Sequence, residues 1–182
     1  MKRLPRAAVL VSVIDAMKEQ GSWCGETHIQ KAVYFLQKMA GVPTEFEFVL
    51  YKYGPYSFDL TDELTGLRAD SILTLEVPDP GYGPRYEPGR LADLIRQSYP
   101  KTIARYKPQV EWVANRLGSR GVAELERLST ALYVRLQSPE AGAQQRAEQL
   151  VKLKPHIRPD DAKEAIGEVD KMLADAKAFS DQ

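Results

Sequence analysis

The segment at residues 78–84 constrains the fold more than any other feature of this sequence. It holds three prolines and two glycines in seven residues. Proline lacks a backbone N–H and fixes φ, so the segment cannot continue a helix or a strand. Strand-like patterns flank it at 72–77 and 85–87, which predicts a hairpin. From Leu91 onward every hydrophobic pattern is helical, so the sequence predicts strands only in its first half.

Helical spacing of apolar residues predicts two helices before the first strand. The first covers about 4–17 and is apolar around most of its circumference, which predicts a buried helix. The second begins at a predicted capping box formed by Thr27 and Gln30. A strand is predicted at 46–51, and a third helix at 57–69. The fold class is therefore α+β and mostly helical.

Proline marks the predicted helix starts in the second half of the chain. Pro108 is predicted to open one helix as its first residue, and Ser138-Pro139-Glu140 predicts the start of another. Asp160 and Asp161 favour the positive end of a last helix. A boundary is predicted between residues 88 and 100, which divides the chain into units 1–90 and 91–182.

The inventory of chemically active side chains is small. Cys24 is the single cysteine, which excludes a disulfide framework and a multi-cysteine zinc site. His28 and His156 are the two histidines, and each is interpreted as structural. The sequence contains none of the common nucleotide-binding, hydrolase or metalloprotease motifs. We therefore expect no catalytic residues, no metal and no cofactor, and a protein that is not an enzyme.

The apolar stretch 7–14 is much shorter than the roughly 20 residues that a membrane span needs. No signal-peptide cleavage site follows it. We expect a cytoplasmic protein without a membrane partner, and one unpaired cysteine agrees with a reducing compartment.

Aromatic residues are concentrated before and after a Gly54-Pro55 turn predicted within 52–56. Six of them occur in 13 residues: Phe46, Phe48, Tyr51, Tyr53, Tyr56 and Phe58. Core packing of a strand and of the helix behind it is the more common reason for such a run. The turn is expected to leave Tyr53 and Tyr56 partly exposed, and amphipathic rings of this kind suit a protein interface. Tyr53 and Tyr56 are therefore the candidate protein-binding residues.

Charge is unevenly distributed although 25 basic and 25 acidic side chains give a net charge of zero. A neutral chain does not coat nucleic acid unselectively. Residues 85–107 nevertheless contain six basic and two acidic side chains. Arg85, Arg90 and Arg96 are the candidate contacts to the phosphates of duplex DNA. An ordinary solvated face is the alternative interpretation.

Three runs in the first half resemble a known family. They are 29–37 (IQKAVYFLQ), 46–48 (FEF) and 51–57 (YKYGPYS). In order and spacing they resemble the YwgA-like proteins of prokaryotes and, more distantly, SocA-type antitoxin (Panacea) domains. The resemblance covers about residues 5–88. It implies a winged-helix-like N-terminal unit with a role in regulation, toxin neutralisation or phage defence, and it transfers no catalytic residues.

Two features depart from a standard winged helix. First, the predicted order is helix, helix, strand, helix, hairpin. Second, the helix in the recognition position, 57–69, carries or adjoins four acidic residues, and Arg68 is its single basic residue. Phosphates repel such a surface. Two hypotheses follow: a non-enzymatic DNA-associated regulator using the 85–107 segment, which the sequence narrowly favours, and a protein-binding adaptor or antitoxin-like module using Tyr53 and Tyr56.

Overall fold

Helices dominate the computed structural model, which describes residues 1–78, 81 and 83–179. The helices are α1 Arg3–Glu19, α2 Glu26–Lys38, α3 Phe58–Ala69, α4 Ala92–Ser98, α5 Pro100–Leu117, α6 Val122–Gln137, α7 Ala143–Leu153 and α8 Pro159–Ala176, followed by a 3₁₀ turn at Lys177–Phe179. The strands are β1 Val49–Tyr51, β2 Gly54–Tyr56, β3 Leu73–Glu76 and β4 Arg85–Pro88. The predicted class, α+β and mostly helical, is confirmed.

Helix α1 runs through the core, as its all-round apolar pattern predicts. It packs against α5, α4 and α2. The predicted capping box of α2 is wrong. The helix begins two residues earlier, with Gly25 rather than Thr27 as its N-cap, and Thr27 lies inside its first turn. Gln30 does not reach back to the helix start, because its amide is bonded to the backbone of Ser57 instead.

The strands form two separate antiparallel hairpins. In the first, Val49 lies opposite Tyr56 and Tyr51 lies opposite Gly54. Only the end of the predicted 46–51 strand is therefore a strand, and part of the predicted turn is its partner, β2. In the second hairpin β3 pairs with β4 as expected. The loop joining β3 to β4 includes residues 79, 80 and 82, which lie outside the described residues.

Two predicted helix starts in the second half are wrong. Pro108 lies inside α5, which begins at Pro100. Both Pro108 and Ala104 are exposed, so water can replace the helical hydrogen bond that proline cannot donate. Helix α7 begins only at Ala143, because residues 138–142 form a turn whose Pro139 carbonyl accepts from Arg135. The predicted last helix is confirmed as α8.

One apolar core extends across the predicted boundary near residue 90. Ile14 of α1, Leu36 of α2, Val113 of α5 and Leu132 of α6 all belong to it. The second-half helices thus complete the surface on which α1 and α2 pack. Within the described part of the chain, no helix combines the length and the apolar character that crossing a membrane requires.

Candidate functional site

The first hairpin and the start of α3 display a group of aromatic rings at the surface. The ring centroids of Tyr51 and Phe58 lie 5.7 Å apart, those of Tyr56 and Phe58 5.1 Å apart, and those of Tyr51 and Tyr56 5.7 Å apart. Tyr51 and Phe58 are each 56% exposed, and the nearby Tyr53 is 51% exposed. We call Tyr51, Tyr53, Tyr56 and Phe58 the aromatic surface.

Strand register explains why these rings meet. Val49 and Tyr56 are directly opposed, so Tyr51 is the diagonal neighbour of Tyr56 on the same face of the hairpin. Phe58 follows two residues later, in the first turn of α3, where Ser57 accepts a hydrogen bond from the Leu60 amide as N-cap. The sequence ends this short hairpin directly in a capped helix, and that junction places the rings together.

Tyr53 is exposed and Tyr56 is half-buried, so the predicted partial exposure of both is confirmed. The hydroxyl of Tyr56 donates to Glu26 (2.8 Å) and lies 2.6 Å from the Thr61 hydroxyl. Tyr56 is therefore an anchor for the surface as well as a part of it. Tyr51 and Phe58 were not among the candidate binding residues. The sequence feature that could have identified them is the run of aromatic residues at 46–58, to which both belong.

Two adjacent residues of α2 bind the backbone at the end of the first hairpin through side-chain hydrogen bonds. The Gln30 amide accepts from the Ser57 N–H (2.9 Å) and donates to the Ser57 carbonyl (2.8 Å), so it pairs with the backbone in both directions. The Lys31 ammonium donates to the carbonyl of Pro55 at 2.8 Å. Both side chains are fully buried. The backbone leading from β2 into α3 is thereby fixed on α2.

A second buried lysine reaches the hairpin from the end of α7. Lys154 donates to the carbonyl of Tyr51 at 2.9 Å and to that of Lys52. It also forms an ion pair with Glu126 of α6 at 3.3 Å. Lys154 and Glu126 are both buried. We call Lys31, Lys154 and Glu126 the lysine clamp, because its two cations together bind three carbonyls of the hairpin.

Burial dominates the electrostatics of the clamp. The pKa of Lys31 falls from 10.5 to about 8, chiefly because the side chain is buried; the nearby Lys154 charge also lowers it, while Glu126 opposes the change. Two buried cations thus share a single buried carboxylate. The carbonyl dipoles of the hairpin supply the rest of their solvation.

Gly54 lets the hairpin approach α6 closely. Its φ is +87°, and a Cβ at this position would lie 2.9 Å from Ser129 Oγ and 3.1 Å from Thr130 Oγ1. Any other residue would be both strained and crowded. The sequence motif Tyr53-Gly54-Pro55-Tyr56 is therefore explained by a backbone packed against α6 with its rings turned outward.

Two of the three arginines predicted to contact DNA, Arg85 and Arg96, form ion pairs within the fold. Arg96 forms a two-pronged ion pair with Asp15, from Nη2 to Oδ1 at 2.9 Å and from Nε to Oδ2 at 3.1 Å, and another ion pair with Asp93. Arg85 pairs with carboxylates of its own hairpin. Arg90 is exposed and has no carboxylate of a described residue within ion-pair distance. Much of the charge of Arg85 and Arg96 is thus already balanced.

None of Cys24, His28 and His156 is a member of the aromatic surface. The Cys24 thiol is buried and lies 3.7 Å from the Ile14 carbonyl, and burial raises its pKa to about 11. Burial lowers the pKa of His28. His156 is exposed and lies 3.4 Å from Glu126. The described residues contain no grouping of three potential ligands for a metal ion.

The chain was also compared with known proteins. No model of a known protein family matches it. No curated protein shows significant similarity to it. The resemblance to YwgA-like proteins therefore stays a prediction that rests on residues 29–57.

Proposed function

We propose that the protein is a non-enzymatic binding module that holds a partner protein on its aromatic surface. The observation that carries this proposal is the exposure of Tyr51, Tyr53 and Phe58, each by more than half, on a rigidly held backbone. Folding alone gains little from rings left in water, whereas aromatic anchors are typical of protein interfaces. Because the clamp fixes the backbone, little conformational entropy is lost on binding.

Charge around the aromatic surface indicates the chemistry of the partner. Asp59 and Asp62 are exposed on α3, and Asp62 lies one turn from Phe58 on the same helix face. No basic side chain of a described residue forms an ion pair with either of them. The surface therefore suits a segment that inserts an apolar side chain between lysines or arginines, and it disfavours the phosphates of nucleic acid.

The biological setting remains part of the proposal. We infer a cytoplasmic adaptor or antitoxin-like module of a prokaryotic regulatory or defence system, with a winged-helix-like unit at 1–90. The β3–β4 hairpin that follows α3, in the position of a wing, supports that interpretation. The sequence resemblance supports the setting.

Co-purification from the native source tests the proposal. A tagged wild-type chain is compared with Tyr51→Ser/Phe58→Ser and with the control Leu94→Ser, because Leu94 is a similarly exposed apolar residue, 57% exposed on α4, that is not part of the aromatic surface. We expect wild type and control to retain a partner that the double variant loses, with and without nuclease treatment. Retention by the folded double variant contradicts the proposal.

A DNA-associated regulator is the second candidate function. It is supported by the exposed Arg90 and by Lys101 and Arg105, which are exposed on α5. Titration with duplex DNA at low salt tests it, using wild type and the triple variant Arg85→Ala/Arg90→Ala/Arg96→Ala. Because Arg85 and Arg96 already have carboxylate partners, we expect Arg90→Ala alone to account for most of any loss. Absence of binding at micromolar protein contradicts this candidate.

A further inference from the structure

A basic cleft lies on the second hairpin, where α3 ends and β4 leaves the sheet. Arg68, from the last turn of α3, and Arg90, just after β4, both line it. The hydroxyl-bearing residues Ser71 and Thr74 line it as well. None of the described residues that line it is acidic. We call Arg68, Ser71, Thr74 and Arg90 the basic cleft.

The two arginines of the cleft differ from the other arginines of this half of the chain. Six arginines occur in the first 96 residues: Arg3, Arg6, Arg68, Arg85, Arg90 and Arg96. Four of them form ion pairs. Arg68 and Arg90 have no carboxylate partner among the described residues, and they are the two that line the cleft. The nearest acid in sequence, Asp70, is already paired with Arg3 at 2.7 Å.

The backbone beneath the cleft is tightly fixed. Ser71 has a φ of +58°, a conformation that is costly for any residue with a Cβ. Its carbonyl accepts from the Leu91 amide at 2.9 Å, and the Gly89 amide donates to the Ile72 carbonyl at 2.8 Å. A Cβ on Gly89 would lie 2.5 Å from the Ser71 carbonyl oxygen. The crossing of these two chain segments therefore holds Arg90 beside Ser71.

We propose that the basic cleft binds a phosphate group. Guanidinium groups match phosphate oxygens in charge and geometry, and hydroxyls beside them complete the set of donors. The site is open to water, so binding is expected to be weak and sensitive to salt. The phosphate belongs either to a phosphodiester of nucleic acid or to a free phosphorylated small molecule. This inference does not depend on the aromatic surface.

An amide NMR titration tests the proposal with three probes at matched ionic strength: inorganic phosphate, pyrophosphate and a short duplex DNA, with chloride as the reference. We expect saturable shifts centred on Ser71, Thr74 and Arg90. Removing one charge-assisted contact should weaken binding about tenfold or more. Arg68→Gln and Arg90→Gln are the test variants. Arg105→Gln, which removes an exposed arginine outside the cleft, is the control.

The outcomes separate the two sources of phosphate. Saturation by DNA that phosphate displaces, and that both test variants weaken, assigns the cleft to nucleic acid. Saturation by phosphate or pyrophosphate without DNA binding assigns it to a small molecule. Shifts that equal those in chloride, or that persist in folded test variants, overturn the proposal. Thermal unfolding of each variant checks that it is folded, and Phe58→Ser should bind phosphate like wild type.

Discussion

The two hairpins of this protein are held in place by different kinds of interaction. In the first hairpin the backbone itself is bound: the buried side chains of Lys31 and Lys154 donate hydrogen bonds to its carbonyls. In the second, one backbone bond, from the Tyr86 amide to the Cys24 carbonyl at 2.9 Å, is accompanied by ion pairs of the hairpin's side chains. The buried Glu87 of β4 forms ion pairs with Lys18 of α1 and with Arg85, and Arg85 also pairs with the half-exposed Glu76.

This difference determines what each hairpin can present to solvent. A hairpin held by its carbonyls keeps its outward side chains free, and the aromatic surface uses that freedom. In the second hairpin the charged side chains of β3 and β4 are already paired with each other or with α1. Arg85 is therefore less available to a ligand. The first arrangement has the larger desolvation free energy, because two lysines and a carboxylate must leave water. A costly arrangement that exposes aromatic rings supports a binding role for the first hairpin.

The largest expected effect comes from removing the single carboxylate of the lysine clamp. Glu126→Gln leaves Lys154 and Lys31 buried without a counter-charge, and breaking a buried pair in this way typically costs about 3–5 kcal/mol. Urea unfolding followed by circular dichroism measures the loss. Glu124→Gln is the matched control on the same helix, because Glu124 is half exposed and pairs with Arg120 at 3.6 Å.

A double-mutant cycle sharpens this prediction. Replacing both partners, as in Glu126→Leu/Lys154→Met, should recover part of the stability lost by either single change, because no buried charge of that pair is left alone. If Glu126→Gln costs no more than Glu124→Gln, the clamp is not what distinguishes the two hairpins.

Lys31 makes the stability of the first hairpin depend on pH. Its pKa is about 8 in the folded state and 10.5 when unfolded, so the unfolded state binds more protons between these values and stability rises with pH there. Wild type should therefore gain about 2–3 kcal/mol over Lys31→Met between pH 7.5 and 10.5. Denaturant unfolding of both proteins across this range measures the gap. An unchanged gap would mean that Lys31 is not a buried cation.

Sequence patterns predicted the second hairpin but not the first, and the contacts explain why. The proline-rich loop and its flanking strands are local signals, so β3 and β4 could be placed from their own residues. The pairing of β1 with β2 depends on Lys154, about 100 residues away, and on Gly54 packing against α6. No local pattern contains that information, so residues 52–56 were interpreted only as a turn.

The candidate site was predictable in the same partial way. The exposure of Tyr53 followed from the Gly54-Pro55 signal. Gln30 was assigned to a helix cap, because its spacing from Thr27 fits one, whereas its partner is the Ser57 backbone 27 residues later. The runs 29–37 and 51–57 both belong to the resemblance to YwgA-like proteins. Their contacts in the structure give a physical reason for that co-occurrence, since one run holds the other.

Glycine positions in the two hairpins should respond very differently to a methyl group. Gly54→Ala places a Cβ against Ser129 and Thr130 at positive φ, and we expect a loss of about 2 kcal/mol. Gly83→Ala in the second hairpin meets no atom of a described residue within 4 Å, and we expect a change below about 0.5 kcal/mol. Equal midpoints in urea for the two variants would contradict the close packing of β2 on α6.

The smallest expected effect on stability comes from breaking the ion pair between Glu76 and Arg85 in the second hairpin. Glu76 is half exposed where it meets Arg85 at 3.1 Å, so water and salt screen the pair, and Glu76→Gln should cost less than about 0.5 kcal/mol. Raising the salt concentration should shrink even this loss, whereas the loss from Glu126→Gln should persist, because a buried pair is poorly screened. Urea unfolding of both variants at low and high salt tests the contrast directly. A salt-independent loss of several kcal/mol from Glu76→Gln would show that the Arg85–Glu76 pair is desolvated in spite of its exposure, and the contrast drawn with the buried carboxylate of Glu126 would fail.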